Sequence, residues 1–121
     1  MSDNSFGIDP LNPGEPIAGG PAPELIIEGN PSDLTWLFDR TPDGKVETGV
    51  WEVAPGTWTF TAPTWEFMSI VSGHSELTEV GSSETTVLKA GSIFVMRPGL
   101  QVVWRVVETT RKVWVTYDPA A

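Results

Sequence analysis

From residue 24 onward the chain is written in short runs of apolar and β-branched residues with turn formers between them. The runs are 24–28, 34–39, 46–53, 57–61, 66–71, 76–80, 85–88, 92–96, 101–107 and 112–117. Gly-Asn-Pro at 29–31, Thr-Pro-Asp-Gly at 41–44, Pro-Gly at 55–56, Ser-Gly at 72–73 and Pro-Gly at 98–99 are among the breaks. Trp58, Phe60 and Ala62 share one parity and Thr57, Thr59 and Thr61 the other. A period of two puts the aromatic set inside and the threonines outside. The stretch 102–107 is apolar nearly throughout, which predicts a strand covered on both faces, with a subunit interface as one possible cover. No window repeats apolar residues at helical spacing over two turns, so a long helix is not expected. A single helical turn at 34–37, capped by Ser32, is the one local alternative to a strand there. Short strands at this spacing predict an all-β sandwich or barrel.

Residues 1–23 are different. Nine of the 23 are Gly or Pro, the acids Asp3, Asp9 and Glu15 have no base beside them, and no hydrophobic period runs through them. Too little apolar surface is available there to offset the entropy of ordering. A flexible acidic arm, or an extended strap, is expected, with Phe6, Ile8 and Leu11 as apolar points that could dock on a neighbouring subunit. Residues 24–121 then form the single body, since 121 residues fit one domain at about 150 residues each.

Composition narrows the chemistry. The absence of Cys excludes disulfides and Cys-ligated zinc or iron–sulfur sites. With His74 alone, no multi-His metal cage can form. Seven Lys+Arg against sixteen Asp+Glu give a net charge of −9, which argues against nucleic acid or a membrane surface as partner. No apolar run is long enough to span a bilayer, and the first residues lack a basic and apolar leader, so a cytoplasmic location is expected. Gly-x-Gly-x-x-Gly, Walker and Gly-x-Ser-x-Gly patterns are missing. Residues 72–75, Ser-Gly-His-Ser, form a turn rather than a Ser–His pair, and 39–44 end in an ordinary Pro-Asp-Gly turn.

Four segments together resemble the cupins. Gly49-Val-Trp-Glu-Val-Ala-Pro-Gly56 is similar to the Gly-x-Trp…Pro-Gly opening of a subfamily that includes ureidoglycine aminohydrolase domains and ethanolamine-utilisation proteins. Glu66 followed by Gly73 resembles the end of the first cupin motif, and 90–99, Ala-Gly-Ser-Ile-Phe-Val-Met-Arg-Pro-Gly, the second. The tryptophan and Glu-Thr-Thr-Arg-Lys within 103–112 resemble that subfamily's ending. This motif-bearing core, 49–117, implies a double-stranded β-helix, the cupin jelly roll, commonly a homodimer.

The resemblance also implies where a metal would sit. The metal-bearing pattern has two His separated by one residue, a Glu four residues past the second, and, as its fourth ligand, a His in the second motif. Those positions are Phe60, Ala62, Glu66 and Val102 here, so only Glu66 survives. One carboxylate among hydrocarbon side chains cannot hold a divalent ion tightly. No metal and no other cofactor are therefore expected. Relocated ligands would have to come from His74, Glu52 or Asp39. His74 is expected at a surface turn, and Glu52 on the strand face opposite Trp51.

A carboxylate facing a barrel of aromatic residues remains. Glu66 is the catalytic candidate, as a general acid/base or as a polar anchor for a ligand. The alternative is a carboxylate satisfied by an Arg or tilted into solvent. Cations within reach by motif position are Arg97, Arg105 and Lys112, with Arg97 at the barrel mouth. Trp51 and Trp104 could stack on a sugar, ureide or aromatic ligand, whereas Trp58 and Trp114 are expected in the core or an interface and Trp65 on the outer face. The expected ligand-binding set is Trp51, Phe60, Glu66, Arg97 and Trp104. Three functions stay open: a cupin binding a small polar metabolite without metal, a hydrolase or isomerase resembling ureidoglycine aminohydrolase, and a structural dimerising subunit.

Overall fold

The computed structural model describes residues 4–121, so Asp3 of the arm lies outside the described residues. Nine strands form among these residues: β1 Ile17–Gly19, β2 Ile26–Gly29, β3 Asp33–Arg40, β4 Val46–Val53, β5 Gly56–Thr61, β6 Trp65–Glu79, β7 Thr85–Lys89, β8 Ile93–Met96 and β9 Gln101–Tyr117. A short 3-10 turn, Pro23–Leu25, leads into β2. One path of hydrogen-bonded neighbours runs β1-β3-β4-β9-β5-β2, and β6 joins β7, β8 and β9. Every pairing is antiparallel. The two long strands are shared by both halves of the sheet, so it curls on itself as a jelly roll.

These long strands are where the turn signals mislead. Gly73, with φ of 95°, bends β6 without ending it, and three register shifts between Ile70 and Ser75 absorb the bend. His74 therefore sits within a bulged strand, opposite Lys89 and Glu108, and not at a surface turn. β9 likewise runs unbroken through 108–111, with β4 paired to its second half and β5 to its first. Residues 34–37 are β3, because pairing along β4 outweighs a lone helical turn.

The inner parity of each strand builds the core. Trp58 of β5, Ala62 just past its end, Met68 and Ile70 of β6, and Val102, Trp104 and Val106 of β9 are all buried in one cluster. Arg105 and Val107, on the other parity, are exposed, so 102–107 is covered on one face within the chain. Trp58 and Trp104 are cross-strand partners and stack at 5.6 Å with an 8° interplanar angle. Trp51 meets them edge-on, at 6.3 and 5.4 Å. Such pairs add about 0.5–1.5 kcal/mol beyond the area they bury.

The described part of the arm makes specific contacts with the body. Residues Ile17–Gly19 pair with β3. Further upstream, the Trp36 indole donates to the Gly14 carbonyl at 2.8 Å, and Arg111 donates to the Pro10 carbonyl at 2.8 Å.

Candidate functional site

Pleating sends Lys112, Trp114 and Thr116 of β9 to the same inner face, and it sends Glu66 of β6 there as well. With Trp51, Trp58, Phe60 and Trp104 they line a cavity of about 440 Å³. Asp33 and Thr35 of β3 add to its wall. Gly20, Pro21 and Leu25, from the chain leading into β2, complete the lip.

An ion pair is its polar centre. Lys112 lies opposite Ile70, whereas Glu66 lies opposite Thr116, so the lysine must reach along the inner face of the barrel. Its Nζ donates to Glu66 Oε2 at 2.5 Å. The same Nζ lies 4.5 Å from the centre of the Trp51 ring and 4.9 Å from that of Trp104. Only 7% of the Lys112 side chain and 14% of the Glu66 side chain are exposed. Burial lowers the Lys112 ammonium below the ordinary lysine range, against the opposing pull of Glu66 and Asp33. Asp33 is held above the usual carboxylate range by its own burial, although a Trp51 hydrogen bond and the Lys112 charge oppose this. Trp104 Nε1 is a buried donor without a hydrogen-bond partner among the described residues.

Of the residues singled out from sequence, Trp51, Phe60, Glu66 and Trp104 come together here. Arg97 does not: it lines a separate depression with Glu79 and Phe94, beside the Pro98-Gly99 turn. The cation at Glu66 is Lys112 instead. Arg105 is engaged by Glu76 at 2.8 Å, and Glu52 by Arg111 at 3.0 Å. Trp58 and Trp114 both line the cavity wall, and of the two Trp58 also belongs to the buried core cluster. Asp33 was the residue that sequence reasoning missed. It stands at the start of β3, beside a proline–serine break, with nothing nearby in sequence to mark it as facing inward.

The residues present do not fit a divalent ion. Glu66 is bonded to an ammonium, Phe60 lies in the cavity wall, and Ala62 and Val102 are buried hydrocarbon. Among the described residues no three His, Cys, Asp or Glu gather closely enough to hold a metal.

The model of the EutQ-like cupin domain matches residues 40–114. The chain belongs to this cupin family. A putative ethanolamine utilization protein Q from Salmonella typhimurium LT2 has a similar structure, with 19% identity over 74% of this chain and 71% of that one, at a TM-score of 0.62. The EutQ protein of Clostridium difficile is similar at 21% identity, over 80% of this chain and 78% of that one, with a TM-score of 0.61. A protein of unknown function from Pseudomonas syringae pv. tomato DC3000 reaches a TM-score of 0.79 at 18% identity, over 90% of this chain. The match covers 46% of that longer protein. At these identities the likeness is one of cupin fold. No curated protein matches the chain.

Proposed function

We propose that this cupin binds a small, flat, polar metabolite in its aromatic cavity and does so without a metal. The observation that carries the reading is the Lys112–Glu66 pair enclosed by tryptophan. It supplies fixed polar contacts inside a concave, mostly apolar space of a size suited to a small ligand. The ring faces suit a planar group, while the buried Trp104 N–H favours a ligand with a hydrogen-bond acceptor. The sequence resemblance to ureidoglycine aminohydrolase domains makes ureides the first compounds to try, followed by sugars.

The test is a titration of intrinsic fluorescence, since four tryptophans line the cavity. A ligand should quench the emission to saturation, and Thr116→Phe, which fills the space from its wall, should abolish the effect. If the quench persists in that variant, the cavity is not the ligand site. Elemental analysis of the purified protein is the parallel check, because a stoichiometric transition metal would contradict the metal-free reading.

A proton-transfer enzyme is the second reading, favoured by an ammonium donor and a carboxylate acceptor in direct contact inside the cavity. Loss of turnover on a candidate substrate in Glu66→Gln, with binding retained, would separate it from a binder.

A further inference from the structure

We propose that Lys112 is a covalent capture site, whose ε-amine condenses with the carbonyl carbon of a small uncharged aldehyde in the cavity while Glu66 carries the protons. This rests on the cavity being a ligand site, and it adds a bond to that reading.

Position comes first. Of the three lysines, Lys45, Lys89 and Lys112, only Lys112 is buried, and it lies in a cavity wall rather than in solid core. A lysine stripped of water in an apolar pocket is a stronger nucleophile at neutral pH than one in solvent, because the free amine is easier to reach. The lowered ammonium described above acts in the same direction.

The second feature is a proton acceptor already in place. Glu66 Oε2 can take one proton from the Lys112 ammonium. The freed nitrogen lone pair then attacks the carbonyl carbon, a C–N bond forms, and the C=O π pair moves to oxygen. Glu66 returns its proton to that oxygen. It next removes a second proton from nitrogen and delivers it to the hydroxyl. The C–O bond breaks, water leaves, and the nitrogen lone pair closes the C=N bond. The sum is ammonium plus aldehyde giving iminium plus water, with no oxidant or reductant. The iminium keeps the positive charge that Glu66 and the Trp51 and Trp104 faces already compensate.

Charge selects the substrate class. Asp33 and Glu66 oppose the single Lys112 cation in the cavity, so a keto acid or other anionic carbonyl is repelled. Aromatic walls favour an apolar body on the aldehyde.

The experiment treats the full chain with benzaldehyde and a borohydride reductant at neutral pH, then maps the labelled lysines by mass spectrometry. Lys112 should carry most of the label, ahead of Lys45 and Lys89, because it alone sits in the cavity with a proton acceptor in contact. Glyoxylate, an anionic aldehyde, should label Lys112 less than benzaldehyde does. Glu66→Gln should slow the labelling, and Lys112→Arg should remove it. Benzyl alcohol, which has no carbonyl, reports occupancy alone through tryptophan quenching. Should benzyl alcohol quench while Lys112 stays unlabelled, the covalent proposal fails and the binding reading stands. Should it not quench, with label only on surface amines, the covalent proposal fails, and the binding reading fails with it when ureides and sugars also leave the emission unchanged. The wild-type map decides the matter even if a variant does not fold.

Discussion

Phe60 and Val102 stand directly opposite each other on β5 and β9. Both occupy positions where the resemblance to metal-bearing cupins would seat an imidazole. Two hydrocarbon side chains in register turn that corner of the barrel into packing surface. The surviving carboxylate, Glu66, is answered by Lys112 from another part of β9. A side-chain cation does electrostatically what an ion would do, but it cannot exchange ligands or accept a lone pair.

Lys112→Met should be strongly destabilising, by about 3–5 kcal/mol, because it leaves the Glu66 carboxylate enclosed without a partner. The added change Glu66→Gln should recover much of that loss, since a neutral amide carries no charge to strand. Urea denaturation of the two single variants and the double variant gives the coupling. Strict additivity would show that the two side chains do not act as a pair.

Asp33 predicts a pH dependence. Its pKa is raised in the folded state, so between the unfolded and folded values the folded protein binds more protons than the unfolded one. Stability from this group is therefore present at low pH and is lost as pH rises through the folded value. Asp33→Asn should be more stable than wild type at pH 7, with the advantage shrinking toward pH 3 (pH values chosen at roughly either side of the carboxylate range). Urea midpoints across that range give the answer. A constant difference at all pH values would mean that the raised carboxylate is not its cause.

The parity rule made the inner face of β5 legible from sequence, because Trp58, Phe60 and Ala62 alternate with threonines. It also contained the position of Lys112, in step with the buried Val102, Trp104, Val106 and Thr110 of β9. That signal was hidden by the break read near residues 108–111. A long bent strand and two short strands share the same local pattern, and only pairing with β4 and β6 decides between them. Arg97 shows the opposite limit. Motif position placed it at the mouth, yet it lies just past the end of β8, which pairs with β6, and there it lines another depression. Asp33 became a site residue through tertiary pairing with β4, which no local sequence signal reports.

Two motif glycines are there for space. A Cβ on Gly49 would run into the Trp36 carbonyl oxygen and meet the Trp114 ring at 3.0 Å. On Gly73 it would run into the Thr109 carbonyl oxygen, and φ is already left-handed. Gly49→Ala and Gly73→Ala should each cost about 1–3 kcal/mol or more, since backbone must move in both. Gly91→Ala is the control: φ is also left-handed there, but the added carbon meets nothing within 4 Å. Thermal unfolding should rank Gly49 and Gly73 well above Gly91 in cost. A loss at Gly91 equal to that at Gly73 would assign the Gly73 effect to conformation alone, and an unchanged Gly49→Ala would show that the Trp36 carbonyl yields without cost.

The strap connects stability to the cavity. Trp36 holds Gly14 through its indole N–H, β1 follows at Ile17–Gly19, and the next residues, Gly20 and Pro21, form the cavity lip. Trp36→Phe keeps an aromatic ring over the sheet but removes the donor, at a cost of about 1 kcal/mol. Because β1 has only three residues to hold the arm, loss of that bond should loosen the lip more than the barrel. Hydrogen exchange should therefore quicken in β1 while β6 and β9 keep their protection. Iodide should also quench the cavity tryptophans more readily, after allowance for the one removed. If exchange rises evenly through the barrel, Trp36 is a core residue whose bond to the arm does not govern access to the cavity.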